Sequence, residues 1–264
     1  MTQENVSAVV ARLWRVPARR TRSTRLGRPA ELDVDRVVTA AVTLAEDVGL
    51  AGVTLPKVAD ALHVTPMSLY RHIGSKDELF VLMEDLGWGP PPRFEISRGQ
   101  WRVGLEHWAL AQRSLLQQHP WLAQVPISGP PRGPNLIGWM DAGLRMLRDT
   151  DLGWAAKIGV LTVVSGYVRH TELMAQQLAA GRKGRGSETV EAEYGRELAL
   201  LVDPARCPDA AELFGSAVFE PAGTELAQRL DDDFGFGLTL IVDGLAMNVG
   251  TGSHSAVKRR PLQP

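Results

Sequence analysis

Cysteine is almost missing from this chain of 264 residues: Cys207 stands alone. No disulfide can close within the chain, and no cysteine-based metal cluster can form. Net charge is nearly absent too, at −1 at pH 7. Long apolar runs are lacking, the longest uncharged one being residues 158–168 between Lys157 and Arg169. That is far too short to span a bilayer, so no membrane partner is expected. Six histidines, at 63, 72, 107, 119, 170 and 254, include no pair four residues apart, so no helical metal-binding pair is expected. Glu106 with His107, and His170 with Glu172, are the nearest approach to acid–base pairs, but such close neighbours on a helix point in different directions. No His-Glu-x-x-His, phosphate-cradling glycine loop or nucleophile elbow occurs. The expectation is therefore no enzyme, no catalytic residue, no metal and no cofactor. Val6 to Val16 holds no apolar run of signal-peptide length, and no strand pairs or internal repeats are visible. A cytoplasmic, all-α protein fits these absences.

What is present is concentrated in residues 54–79, TLPKVADALHVTPMSLYRHIGSKDEL. Thr54 can cap a helix with Pro56 in its first turn. Val58 and Leu62 share a face, and Ala59 lets a second helix cross closely. The turn falls at His63-Val64, after which Thr65 caps a helix beginning at Pro66. Leu69 and Ile73, four apart, face inward together. Met67, Ser68, Tyr70, Arg71 and His72 are left on the outer side. Ser75-Lys-Asp-Glu78 reads as a capping box opening a further helix, with Lys76 in its first turn. Upstream, Asp33 caps a helix whose buried stripe is Val37, Ala40, Ala41, Leu44, Ala45 and Val48, closed by Gly49. Leu32 and Val37 are spaced as a hydrophobic staple. The product is a three-helix unit containing a helix-turn-helix, whose second helix has the width of a DNA major groove.

These identities closely resemble the DNA-binding domain of tetracycline-repressor (TetR) family regulators. The resemblance rests on Thr54, Val58-Ala59, Leu62-His63-Val64 and the run Leu69-Tyr70-Arg71-His72-Ile73-Gly74-Ser75-Lys76-Asp77-Glu78-Leu79. Two positions depart from the family pattern. His63 replaces a Gly and must itself take positive φ, which His tolerates better than most residues. Pro56 replaces a common DNA-reaching Arg, so the operator sequence does not carry over. The resemblance implies phosphate contacts from Thr54, Tyr70 and Lys76. It places Thr65, Pro66, Met67, Ser68 and His72 nearest the base edges. Phosphate contacts set register, whereas edge contacts select sequence.

Residues 1–30 carry Arg12, Arg15, Arg19, Arg20, Arg22, Arg25 and Arg28 against the single acid Glu4. They read as a basic, flexible arm that adds salt-sensitive affinity for DNA. The Leu26-Gly27-Arg28-Pro29 end suits a minor-groove arm, with Arg25 and Arg28 as DNA contacts. The organisation is then arm 1–30, DNA-binding domain 31–86, helical body 100–250 and disordered tail 251–264.

In the body, Pro90-Pro91-Pro92 and Pro126–Pro134 break the helical pattern. Helices are expected at about 100–119, from Leu136 to Leu147, at 154–178, 190–202, 210–219 and 234–249, with a mobile loop at 181–187. His119-Pro-Trp-Leu-Ala123, Pro134-Asn135 and Phe234-Gly-Phe-Gly-Leu238 with Val242-Asp-Gly-Leu245 resemble the tetracycline-repressor-like C-terminal domain. That resemblance implies a homodimer through helices 154–178 and 228–249, where Gly159, Ser165, Gly166, Gly237, Gly244 and Ala246 permit close approach. A two-fold dimer implies a palindromic double-stranded operator. Five tryptophans, at 101, 108, 121, 139 and 154, lie in the body's first half. Trp108, Gln112, Trp139, Met140, Gly143, Val164, Ser165 and Val168 are the candidate contacts for a small apolar or amphipathic effector. The whole reads as a cytoplasmic, nucleoid-associated, ligand-responsive regulator. Repression is the mode the resemblance implies. Activation, DNA binding with no effector, and an effector that arrives with a metal all stay open.

Overall fold

The computed structural model describes residues 7–15, 32–182, 184–220 and 226–249. Arg25, Arg28 and the tail 251–264 lie outside the described residues. Eleven α-helices and no strand are found among the described residues, and none of these helices is long and apolar enough to cross a membrane.

The head is built from α2 (Val34–Val48), α3 (Leu55–Ala61), α4 (Pro66–Ile73) and the start of α5 (Lys76–Trp88). Asp33 caps α2 by accepting the Arg36 N–H at 2.8 Å. Gly49 ends α2 at φ 76°. Val37, Val38, Ala41 and Ala45 of α2 bury against Val58 and Ala59 of α3 and Leu69 and Ile73 of α4. Val48, expected in the α2 stripe, is exposed instead, because the chain turns into a short 3-10 segment at Leu50–Gly52 that buries Leu50 in its place.

The body is carried by α6 (Trp101–Gln118), α7 (Pro134–Met146), α8 (Trp154–Gly181) and α11 (Leu226–Val249). A 3-10 turn, Pro120–Gln124, buries Trp121, Leu122 and Ala123 between head and body. α9 (Ser187–Leu201) and α10 (Pro208–Gly215) form a small satellite in which Tyr194 meets Phe214 and Phe219 edge-on, at 5.5 and 5.6 Å. The last helix begins two turns earlier than its apolar stripe suggested, through Leu226 to Asp233.

A short helix, α1 (Ala8–Leu13), lies inside the stretch expected to be a flexible arm. Leu13 is buried against the rest of the molecule. Arg12 pairs with Glu78 of α5, Arg15 with Asp35 of α2 at 2.7 Å, and the Trp14 indole N–H donates to the Arg132 carbonyl at 2.8 Å. α1 and the two residues after it therefore tie head to body.

Candidate nucleic-acid interface

α3 and α4 are set by the turn between them. The His63 N–H donates to the Asp60 carbonyl and the Val64 N–H to the Ala59 carbonyl, at 3.1 and 3.0 Å. This paired pattern, with a left-handed residue just past the helix end, is a Schellman motif. His63 fills that place at φ 55°, so the positive φ expected at His63 is present. The strain of a side chain there is of order 1 kcal/mol.

α4 then divides by face. Leu69 and Ile73 are fully buried, whereas Met67 is 72% and Tyr70 44% exposed. Thr65 and Pro66 are exposed, and Ser68 and His72 half-buried beside them. Thr54 at the start of α3 is likewise half-buried and Lys76 at the start of α5 exposed, whereas Arg25 and Arg28 lie outside the described residues. Thr54 accepts the Lys57 N–H at 3.4 Å, capping α3. Thr65 differs from its expected capping role: its hydroxyl lies 3.0 Å from the Ser68 hydroxyl and accepts no backbone N–H. The pair presents two adjacent hydroxyls at the start of α4.

Ser75 caps α5 by accepting the Glu78 N–H at 3.1 Å. The reciprocal half of the capping box is absent, because the Glu78 carboxylate is engaged by Arg12. Gly74, at φ 76°, leaves room for that pair: a Cβ there would sit 3.0 Å from the Arg12 guanidinium. Lys76 is exposed, with its ammonium 5.2 Å from the centre of the Phe80 ring. Lys57, in the first turn of α3, is a further exposed cation, and the sequence signal for it is its place three residues after the Thr54 cap.

The head is joined to the body by three further links. Glu46 of α2 accepts from the Trp121 indole at 2.6 Å and lies 2.8 Å from His119 Nδ1. Asp85 of α5 accepts the Leu136 N–H at 3.0 Å, while Asn135 donates its side-chain amide to the Asp85 carbonyl at 2.8 Å. α5 and α7 thus satisfy each other's ends. The Trp139 indole donates to the Trp88 and Gly89 carbonyls at 3.3 and 3.1 Å. Burial raises the Asp85 carboxyl above its ordinary value, against the opposing pull of the Leu136 and Asn135 backbone N–H groups. Burial likewise raises Glu84, opposed by Arg169, whose guanidinium is 3.7 Å away.

Most of the nominated effector residues lie in packed core. Trp108, Gln112, Trp139, Gly143, Val164 and Val168 are buried, and Met140 and Ser165 are half-buried. The Trp108 indole donates to the Trp139 carbonyl at 2.9 Å. A Cβ on Gly143 would lie 2.9 Å from the Trp108 ring and 2.7 Å from Leu161. A cavity of about 690 Å³ lies elsewhere, between residues 91–101 and the end of α7, and none of the eight lines it. Gly237, expected in a dimer contact, is used within the chain: a Cβ there would run into the Tyr167 ring, whose hydroxyl donates to the Phe234 carbonyl at 2.9 Å.

A compact three-helix head with an exposed second helix, carried on a larger helical body, defines a helix-turn-helix regulator. Residues 37–83 match the family described as bacterial regulatory proteins, tetR family, and residues 95–249 match the tetracyclin repressor-like C-terminal domain. This chain belongs to the TetR family. It is 31% identical over 253 residues to the HTH-type transcriptional repressor DrrR1 of Streptomyces coeruleorubidus, covering 94% of this chain and 90% of that one. It is 27% identical over 140 residues to the tetracycline repressor protein class E of Escherichia coli, covering 52% and 66%. Among solved structures, apo ActR from Streptomyces coelicolor shares the fold at TM-score 0.69 and 24% identity, over 84% of this chain and all of that one.

Proposed function

We propose that the chain is a homodimeric repressor that reads a near-palindromic duplex and releases it when a small apolar or amphipathic effector binds the body. The carrying observation is the division of α4 into a fully buried Leu69–Ile73 edge and an outer face led by Met67 and Tyr70. On this reading Thr54, Tyr70 and Lys76 hold phosphates. Thr65, Pro66, Met67, Ser68 and His72 face base edges, Met67 and Pro66 suiting thymine methyl groups. Arg25 and Arg28 extend the contact into the adjacent groove, at the nucleoid in the cytoplasm.

Dimerisation is supported by apolar side chains left exposed on the two longest helices among the described residues: Ile158 and Val163 on α8, and Phe236, Leu240 and Met247 on α11. Gly159 and Gly166 add open backbone to the first. Two heads then engage half-sites ~34–36 Å apart, or a multiple of that. The DrrR1 relative is itself described as a repressor, and ActR has been solved with actinorhodin, which supports a body that responds to a ligand. Here an effector at Trp108 and Gln112 must displace packed side chains, so its binding is coupled to rearrangement of the core and shifts the population of head positions.

Footprinting of the gene's own upstream region, followed by release tests with a metabolite panel, checks this reading. Protection of two half-sites by a complex containing two chains, loosened by a compound, is the expected outcome. A one-chain complex refutes the dimer. The close packing of Trp108 on Gly143 favours one second reading, a DNA-binding regulator with no effector, for which no compound loosens the complex.

A further inference from the structure

We infer that the cavity between residues 91–101 and the C-terminal end of α7 is a second ligand site, taking a planar aromatic carboxylate. It does not rest on the effector reading, because none of the effector candidates lines it. The volume, about 690 Å³, falls within the ~300–1,000 Å³ of small-molecule sites.

Its chemistry is mixed in a specific way. Phe94, Ile96, Trp101 and Met146 supply apolar wall. Four arginines line it against two carboxylates, Glu95 and Asp149, a surplus of two positive charges. Asp149 is already engaged, accepting from Arg98 at 3.4 Å and from the Gly99 N–H at 3.2 Å. Arg145 lies 3.4 Å from Asp141. Arg93 and Arg148 have no carboxylate partner among the described residues. Guanidinium groups beside an aromatic wall fit a ligand that presents a flat apolar body and a forked anion. Bare phosphate would leave the wall unused, and a neutral aromatic would leave the arginines unused.

The walls are held in place from both sides. The Asp149 contacts tie the 91–100 connection to the end of α7. Met146 seats on α6 at Gly104, where a Cβ would sit 2.7 Å from its sulfur. Arg148 also borders a smaller cavity of about 240 Å³ lined by Trp154 and Lys157, with the Lys157 ammonium 5.6 Å from the centre of the Trp154 ring. The positive surface therefore continues past the first cavity.

The test is calorimetric titration of the full-length protein with 2-naphthoate and, separately, with 2-naphthamide, repeated on Arg93→Ala/Arg148→Ala. Both arginines are exposed, and an unchanged melting curve verifies that the variant is folded. Single-site binding of naphthoate is expected, weakened about tenfold or more in the variant and by a similar factor for the uncharged amide. Equal affinity of the variant and the parent, equal affinity of acid and amide, or no saturable binding of naphthoate would each overturn the assignment.

Discussion

The head and the body use the same kind of helix in opposite ways. In the head, the side chains nominated to meet a partner stand outside the scaffold. Leu69 and Ile73 hold α4 down while Met67 and Tyr70 face solvent. In the body, the side chains nominated to meet a partner are the scaffold, since Trp108, Trp139, Val164 and Val168 are core residues. A convex reading surface separates stability from recognition. A buried effector site makes the two compete for the same atoms.

The sharpest way to break that contrast is Trp108→Ala. As a core residue it should cost about 3–5 kcal/mol of stability, read by denaturant unfolding of the full chain. A near-neutral result would mean that Trp108 lines space rather than filling it. Leu69→Ala should cost about 2–5 kcal/mol, and DNA affinity should fall with it because α4 loses its anchor. Met67→Ala, two residues away but on the exposed face, should leave the melting temperature within error. If Met67→Ala and Leu69→Ala destabilise equally, the two faces of α4 are wrongly assigned.

Between the two regions lies Asp85, which sharpens the comparison through pH. Burial raises its carboxyl in the folded protein, so between the ordinary carboxylate value and the raised one the folded state binds more protons than the unfolded state. Stability then falls as pH rises through that window. Asp85→Asn keeps an oxygen to accept the Leu136 N–H and removes the charge. It should flatten the fall, with the gap from the parent closing below the ordinary carboxylate range. Denaturation across a pH series reads this, and an unchanged slope would show that Asp85 is not the group responsible. A small gain is expected in the turn: His63→Gly should stabilise by about 1 kcal/mol by relieving positive φ, and a loss of stability would show that the His63 side chain makes a contact worth more than its strain.

The head was legible because its constraints are local. Caps, the Leu69–Ile73 spacing and the positive φ at His63 are each fixed within a few residues, and the structure holds them at Asp33, Thr54, Ser75 and the Schellman turn. Thr65 departs from its expected cap because Ser68, three residues on, offers its hydroxyl a partner on the same surface. α1 was not legible: six residues give too little periodicity, and what holds it is remote, at Glu78, Asp35 and the Arg132 carbonyl. Of the five tryptophans, Trp108 and Trp139 meet through a hydrogen bond, whereas Trp121 turns to Glu46 and Trp154 is exposed. Spacing could not say whether indoles line a void or fill it, because that depends on Gly143 and Leu161 meeting Trp108 across helices. For the same reason the cavity at 91–101 left no mark in the sequence beyond the prolines that break the helix there.

On the proposed function, the outer face of α4 selects DNA sequence while the Lys76 cation only holds the duplex. Gel-shift titrations of Met67→Ala and Lys76→Ala across a panel of single-base operator variants test it most directly. Lys76→Ala is expected to weaken every duplex by a common factor and lower the salt slope by about 1, while Met67→Ala reorders the panel. A reordering by Lys76→Ala, or a uniform loss from Met67→Ala, would contradict it.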